Sequence, residues 1–216
     1  MSHLIIAIKA NALKEIKVNL ALLFDFDGTI TNADMYSKFL RYSTTGARLI
    51  VGNVLLAPFV IMYKLGILPA NKMRPIASFV AFYQKEHHAL DAMGLDFTKQ
   101  VIPQFIRSHA LDKIRCHKDN GDHVVVVSAS IDIYLKHWCN ELGVMLICSE
   151  LAVNNGKLSG FYTSGDCSEK MKSKRICERF NLDHYDCVYA YGDTAEDLDM
   201  LSIADEKYMN WVKVKD

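Results

Sequence analysis

The run HVVVVS at residues 123–128 limits the fold more than any other stretch of the chain. Four successive valines leave no polar face, so the strand they form is covered on both sides, as in a parallel sheet sandwiched between helices. LALLF at 20–24, VMLIC at 144–148 and CVYAY at 187–191 are apolar runs of the same kind. Segments near 131–142 and 169–180 carry helical periodicity between them. This alternation predicts an α/β fold with a doubly wound parallel sheet. With 216 residues, half of them hydrophobic, the chain can bury the core such a sheet requires.

About ninety residues separate the first strand from the second, far more than a crossover helix needs. The predicted division is therefore a core domain of residues 1–32 and 108–216 and a helical cap domain of residues 33–107. Between 153 and 162, Asn-Asn-Gly flanked by short alternating runs predicts a β-hairpin flap. The first residues, MSHLIIAIKANALKEIK, have no basic start and carry a lysine at position 9, which reads as an arm before the first strand rather than a secretory signal.

The 25 basic and 25 acidic residues balance, and the basic ones form no stripe, which argues against a nucleic-acid partner. Six cysteines without CxxC spacing read as reduced thiols of a cytoplasmic enzyme and argue against a zinc site.

The chemistry concentrates where the strands end. LLFDFDGTIT places Asp25 and Asp27 directly after the first apolar run, a costly arrangement unless a cation or a reaction compensates the charge. Ser128 ends the valine run, and GDTAED brings Asp193 and Asp197 after the last strand. Ligands of open α/β sheets bind outside these carboxyl ends, so the four points converge on one crevice. Asp25, Asp27 and Asp193 offer hard oxygen ligands suited to Mg²⁺. Neutralised by such an ion, Asp25 can attack phosphorus, Asp27 can exchange a proton with the leaving alcohol and then with water, and a serine and a lysine can hold the phosphoryl oxygens. Lys170, Lys172 and Lys174 are the candidate lysines. Taken singly, each of these residues also fits a cap or a turn.

DFDGT, SAS after a hydrophobic strand, a downstream lysine and GDTAED, in this order across 25–197, resemble the four motifs of the haloacid dehalogenase superfamily of Mg²⁺-dependent phosphatases. The resemblance implies Asp25 as nucleophile and Asp27 as general acid/base and metal ligand through its carbonyl. It implies Ser128 with Ala129 as phosphate-binding residues and Asp193 as a metal ligand. Gly28, Thr29 and Asp197 are supporting residues, Asp197 orienting the lysine or a water. The cap position and the hairpin are similar to the subfamily containing phosphoserine phosphatase. CSEKMKSKRI follows that subfamily's spacing from a cysteine to its lysine, which selects Lys172, with Lys174 as the alternative. Phospho-accepting receiver domains also surround an aspartate with acidic groups, a hydroxyl and a lysine, but they lack the long insertion after the first strand. A non-catalytic binding protein on the same scaffold would be expected to have lost the nucleophile or the lysine.

Substrate is less determined. Asp34 stands where phosphoserine phosphatases place a glutamate facing the substrate amine, and it is also a natural helix N-cap. Arg74 is the nearest candidate for a carboxylate clamp. ADMYSKFLRY, the hairpin and the lysine segment also resemble bacterial phosphatidylglycerophosphate phosphatases, which implies either a small phosphorylated metabolite or a lipid phosphate as substrate. The stretch LIVGNVLLAPFVIMYKLGIL, residues 49–68, has one charge, Lys64, in twenty residues. Three readings order themselves: a buried cap helix or helical hairpin, an apolar face in peripheral contact with a membrane, and a span, which Asn53, Pro58 and Lys64 disfavour.

Overall fold

The computed structural model describes residues 20–214, so the predicted N-terminal arm lies outside the described residues. A six-stranded sheet is built from Leu20–Phe24 (β1), Val125–Ile131 (β2), Met145–Ser149 (β3), Val188–Gly192 (β6), Glu206–Met209 (β7) and Val212–Lys213 (β8). Their order is β3-β2-β1-β6-β7-β8, parallel except for the β7–β8 pair. The separate hairpin Leu151–Asn154 (β4) and Lys157–Tyr162 (β5) supplies the flap. β7 and β8 were not legible beforehand, since EKYM and VK are short edge strands without an apolar run.

Alternate strand residues serve opposite faces, as the period of two requires. Leu23, Val125, Val127 and Val188 pack with Ile176, Met200 and Leu201 on one side. Phe24, Val126 and Tyr191 pack with Phe26, Ile114 and Trp138 on the other. Every residue of β2 is buried, as expected of a strand covered on both faces.

Between β1 and β2 the chain forms Met35–Ser43 (α1), Gly46–Lys64 (α2), Ala70–Phe82 (α3), His87–Gln100 (α4) and Ser108–Asp119 (α5). A bridge between Thr31 and Ile106 ties the two ends of the insertion together. The rings of Phe39 and Phe97 lie 5.2 Å apart, and each is within 5.3 Å of Tyr134 on Asp132–Leu142 (α6), so these helices share one apolar cluster with the sheet. Lys170–Arg179 (α7) and Leu198–Ser202 (α8) complete the other layer.

Residues 49–68 are neither buried nor a hairpin. They fall largely in α2, a single helix that carries Pro58, and Gly52 is its one buried residue. Ile50 and Val54 are 68% and 70% exposed. The sequence-based expectation of a buried helix is corrected here, because α3 and the cavity beneath cover one side of α2 and nothing among the described residues covers the other.

A close approach fixes how the insertion sits on the core: a Cβ at Gly94 of α4 would stand 2.2 Å from the Ile133 carbonyl oxygen of α6. Gly94→Ala is therefore expected to destabilise the fold by about 1–3 kcal/mol, seen as a Tm lower by several degrees. An unchanged Tm would contradict this packing.

Candidate active site

β1 delivers the first carboxylate. The Asp25 N–H continues the sheet by donating to the Tyr191 carbonyl at 2.9 Å, while its side chain is buried at the strand's end. The chain then turns sharply through Phe26–Ile30, with Gly28 at φ +85°. A Cβ at Gly28 would lie 2.0 Å from Asp193 Oδ2, so only glycine admits both the backbone conformation and the approach of the β6 loop. Thr29 Oγ1 donates to Asp193 Oδ1 at 3.3 Å.

Lys172 holds the center. It is 2% exposed, and its Nζ donates to Asp25 Oδ1 and Asp197 Oδ1, both at 2.6 Å. Burial opposes its charge, but the two carboxylates outweigh burial and keep it protonated, above the ordinary lysine range. Lys174 is on the surface, 3.9 Å from Glu178, and Lys170 is exposed. The second oxygen of Asp197 accepts the Asp193 and Thr194 backbone N–H groups at 3.0 and 3.1 Å. Asp197 thereby shapes the loop after β6 and orients Lys172 together.

Asp27 points elsewhere. Its Oδ1 accepts the Met35 N–H at 2.6 Å, at the start of α1, and its Oδ2 accepts a short hydrogen bond from the Ser130 hydroxyl. Burial raises its pKa to about 7, against the Ser130 bond that lowers it, with Asp34 adding a further rise. Ser128 is buried, and its Oγ accepts the Ser130 N–H at 3.1 Å. Ser128, Ala129 and Ser130 line the same cavity as Asp25, Asp27, Lys172 and Asp193.

Four carboxylates therefore line one cavity with a single buried lysine, which pairs with two of them, Asp25 and Asp197. Burial pushes Asp25 well above the usual carboxylate range, with Lys172 lowering it and Asp197 and Asp27 raising it; Asp193 is raised by burial and by Asp197. Asp25, Asp193 and Asp197 each present an oxygen, all within 4.8 Å of one another. This excess of negative charge beside the space left by Gly28 suits a divalent cation. Asp197 already bonds Lys172 and two N–H groups, whereas Asp25 and Asp193 each keep an oxygen with free capacity for such an ion. The Asp27 side chain is not in that group.

The cavity measures about 620 Å³ and extends from these carboxylates up to the inner face of α2, where Leu49, Gly52, Leu56 and Val60 line it. Two specificity candidates are already engaged. Asp34 caps α1, accepting from Ser37 N at 3.0 Å and from Ser37 Oγ at 2.5 Å, although it also lines the cavity. Arg74 on α3 pairs with Asp166 and Glu196, each at 2.8 Å, a latch between the inserted helices and the core. As a carboxylate clamp Arg74 is corrected: its guanidinium is occupied.

Sequence reasoning missed four contributors. Ser130 could have been read from SAS, where two hydroxyls flank one alanine. Asn210 Nδ2 donates to the Asp193 carbonyl and Trp211 Nε1 to the Thr29 carbonyl, both from the unforeseen β7–β8 turn. Arg107 Nε donates to the Gly28 carbonyl at 3.3 Å. None of these last three carries a local motif.

Comparison with known proteins defines the class: residues 22–202 match the haloacid dehalogenase-like hydrolase family, and the chain belongs to it. More particularly, it is similar to Protein CicA of Caulobacter vibrioides, 33% identical over 194 residues that span 87% of this chain and 84% of that protein. Its fold is similar to that of a Bordetella pertussis Tohama I protein of unknown function (TM-score 0.77, 19% identity, 89% of this chain and 90% of that one). A phospho-aspartyl intermediate analogue of phosphoserine phosphatase is also similar (TM-score 0.64, 20% identity, 89% and 87%).

The raised carboxylates give a stability test. A folded-state pKa above the unfolded one stabilises fully below the unfolded value and loses that contribution as pH rises through the folded value. For Asp27 this window runs from 3.8 to about 7. Added Mg²⁺ is expected to raise Tm more at pH 8 than at pH 5, because protons compete for Asp25 and Asp193 at the lower pH. Asp193→Asn should remove most of this increment. Equal increments at both pH values would contradict a metal held by these carboxylates.

Proposed function

We propose that this hydrolase is a Mg²⁺-dependent phosphomonoesterase that works through an aspartyl-phosphate on Asp25. The observation that carries the reading is the buried Lys172, held at 2.6 Å from both Asp25 and Asp197 at the floor of an open cavity. Such a lysine fixes the nucleophile and offers positive charge to a phosphoryl oxygen. Mg²⁺, held by Asp25 and Asp193, would neutralise the charge that otherwise repels a phosphate from a carboxylate.

In the first step an Asp25 oxygen forms a bond to phosphorus as the bond to the alcohol oxygen breaks, and protonated Asp27 gives its proton to that oxygen. In the second, ionised Asp27 takes a proton from water, the water oxygen bonds phosphorus, and the Asp25 carboxylate is released. A pKa near 7 suits both duties. Ser128 and the backbone N–H of Ala129, which line the same cavity, would donate to the remaining phosphoryl oxygens. The likeness to phosphoserine phosphatase supports a small phosphorylated metabolite as substrate. The engagement of Arg74 and Asp34, with Leu49, Leu56 and Val60 lining the upper cavity beside Arg41 and Lys64, instead favours a leaving group that carries hydrocarbon and tolerates negative charge, a lipid phosphate among them. Turnover separates this reading from a phospho-accepting signalling domain.

Asp25→Asn is expected to abolish phosphate release from an aryl phosphate, and chelation of Mg²⁺ to abolish it reversibly. Full activity in either case would sink the mechanism. Asp27→Asn should slow an alkyl phosphate by about 10²–10⁴-fold and an aryl phosphate far less, since phenolate leaves without a proton. At saturating Mg²⁺, kcat/KM for the alkyl phosphate should fall as pH rises and Asp27 ionises. Removing the acidifying hydrogen bond with Ser130→Ala should move that fall to higher pH. A shift in the opposite direction would remove Asp27 from the acid role.

A further inference from the structure

Helix α2 is apolar on two opposite faces, and only one of them is explained by the fold. Leu49, Gly52, Leu56 and Val60 share the face above the cavity, and Gly52 approaches Val80 of α3. Ile50, Val54, Ile61 and Leu65, spaced by four, eleven and fifteen residues, form an exposed stripe on the other side, widened by Val51 and Leu55. A contiguous apolar face of this length, about 23 Å at 1.5 Å per residue, is a surface that meets a partner.

The charges around it identify the partner. From residue 35 to residue 85 the chain contains seven Lys and Arg and not one Asp or Glu, although the whole protein is balanced at 25 each. Arg41 and Lys64 belong to this stretch and line the cavity beside α2. Of the seven cations Arg74 is paired with Asp166 and Glu196, and the other six, flanking an apolar helix face on a stretch without acids of its own, match an anionic bilayer surface, where hydrocarbon lies beneath negative headgroups. A second copy fits poorly, because two such faces would oppose like charges. A span fits poorly as well: Arg48 of α2 donates to the carbonyls of Ala81 and Tyr83, and extracting the helix would break these bonds and strip the wall from the cavity.

We infer that the outer face of α2 docks in the plane of an anionic bilayer, so that the helix lies between the membrane and the cavity and keeps the site within about one helix diameter of the headgroup layer, where an amphiphilic phosphomonoester is at hand. The substrate part rests on the phosphomonoesterase reading; the docking part stands without it. Asp25, Lys172, Leu56 and Val60 line the same cavity, so a ligand with its phosphate at Asp25 and Lys172 would lay hydrocarbon along Leu56 and Val60.

The test is flotation of the full chain with vesicles of phosphatidylcholine alone or mixed with phosphatidylglycerol, at low and high salt, alongside aryl phosphate turnover in solution. Recovery with the anionic vesicles is expected to exceed recovery with neutral ones at least tenfold and to fall with salt. The outer-face variant Val54→Asn/Ile61→Asn should lose flotation while keeping aryl phosphate turnover, which also shows it is folded. Flotation equal for the variant, or none for the parent, overturns the docking. So does a concentration-dependent dimer that the variant dissolves, which would make the face a copy interface. Association that resists salt and yields only to detergent overturns it in favour of a span. Flotation without turnover leaves docking intact and defeats the phosphomonoesterase reading; turnover without flotation does the reverse.

Discussion

The site depends on one buried contact, Lys172 between Asp25 and Asp197. A charge at 2% exposure is costly unless paired, and leaving either partner alone costs about 3–5 kcal/mol. The contact joins three segments far apart in sequence: the end of β1, the first turn of α7 and the loop after β6. It fixes the direction of the Asp25 carboxylate and, through the second oxygen of Asp197, the fold of the loop that carries Asp193. One cation leaves the cluster with surplus negative charge, and that surplus is what a divalent ion and a phosphate-bearing ligand would balance together.

The two carboxylates of the DFD segment are separated by environment rather than by distance along the chain. Asp25 faces Lys172, whereas Asp27 is turned to the start of α1 and to Ser130. Because α1 begins the insertion, its position bears directly on the acidity of Asp27. The Arg74 latch to Asp166 and Glu196 ties the same inserted helices to the loop holding Asp193. Movement of the insertion would therefore be felt at both Asp27 and the loop that carries Asp193.

Much of this was legible in the sequence because it is written locally. The valine run admits few environments, and its strand is buried throughout; the Asn-Asn-Gly segment turns the flap. Asp25, Asp27, Asp193 and Asp197 stand out because carboxylates at the ends of apolar runs are rarely neutral in their consequences. What escaped was set by tertiary context. β7 and β8 lack an apolar run, and Asn210 and Trp211 reach the site only because that edge hairpin folds back over Thr29. Arg74 became a latch because its partners come from residues 166 and 196. The apolar stretch of 49–68 has the composition of a buried helix, and composition does not say whether the cover is protein or something else.

The central claim is that Asp25 carries the phosphoryl group, and trapping that bond tests it most directly. Acid quenching during turnover of a phosphomonoester with Mg²⁺, followed by borohydride reduction and peptide mass spectrometry, should convert residue 25 from aspartate to homoserine. No conversion should occur without Mg²⁺ or without substrate. Steady turnover with residue 25 unmodified, or with the reduced residue found elsewhere, would contradict Asp25 as the nucleophile.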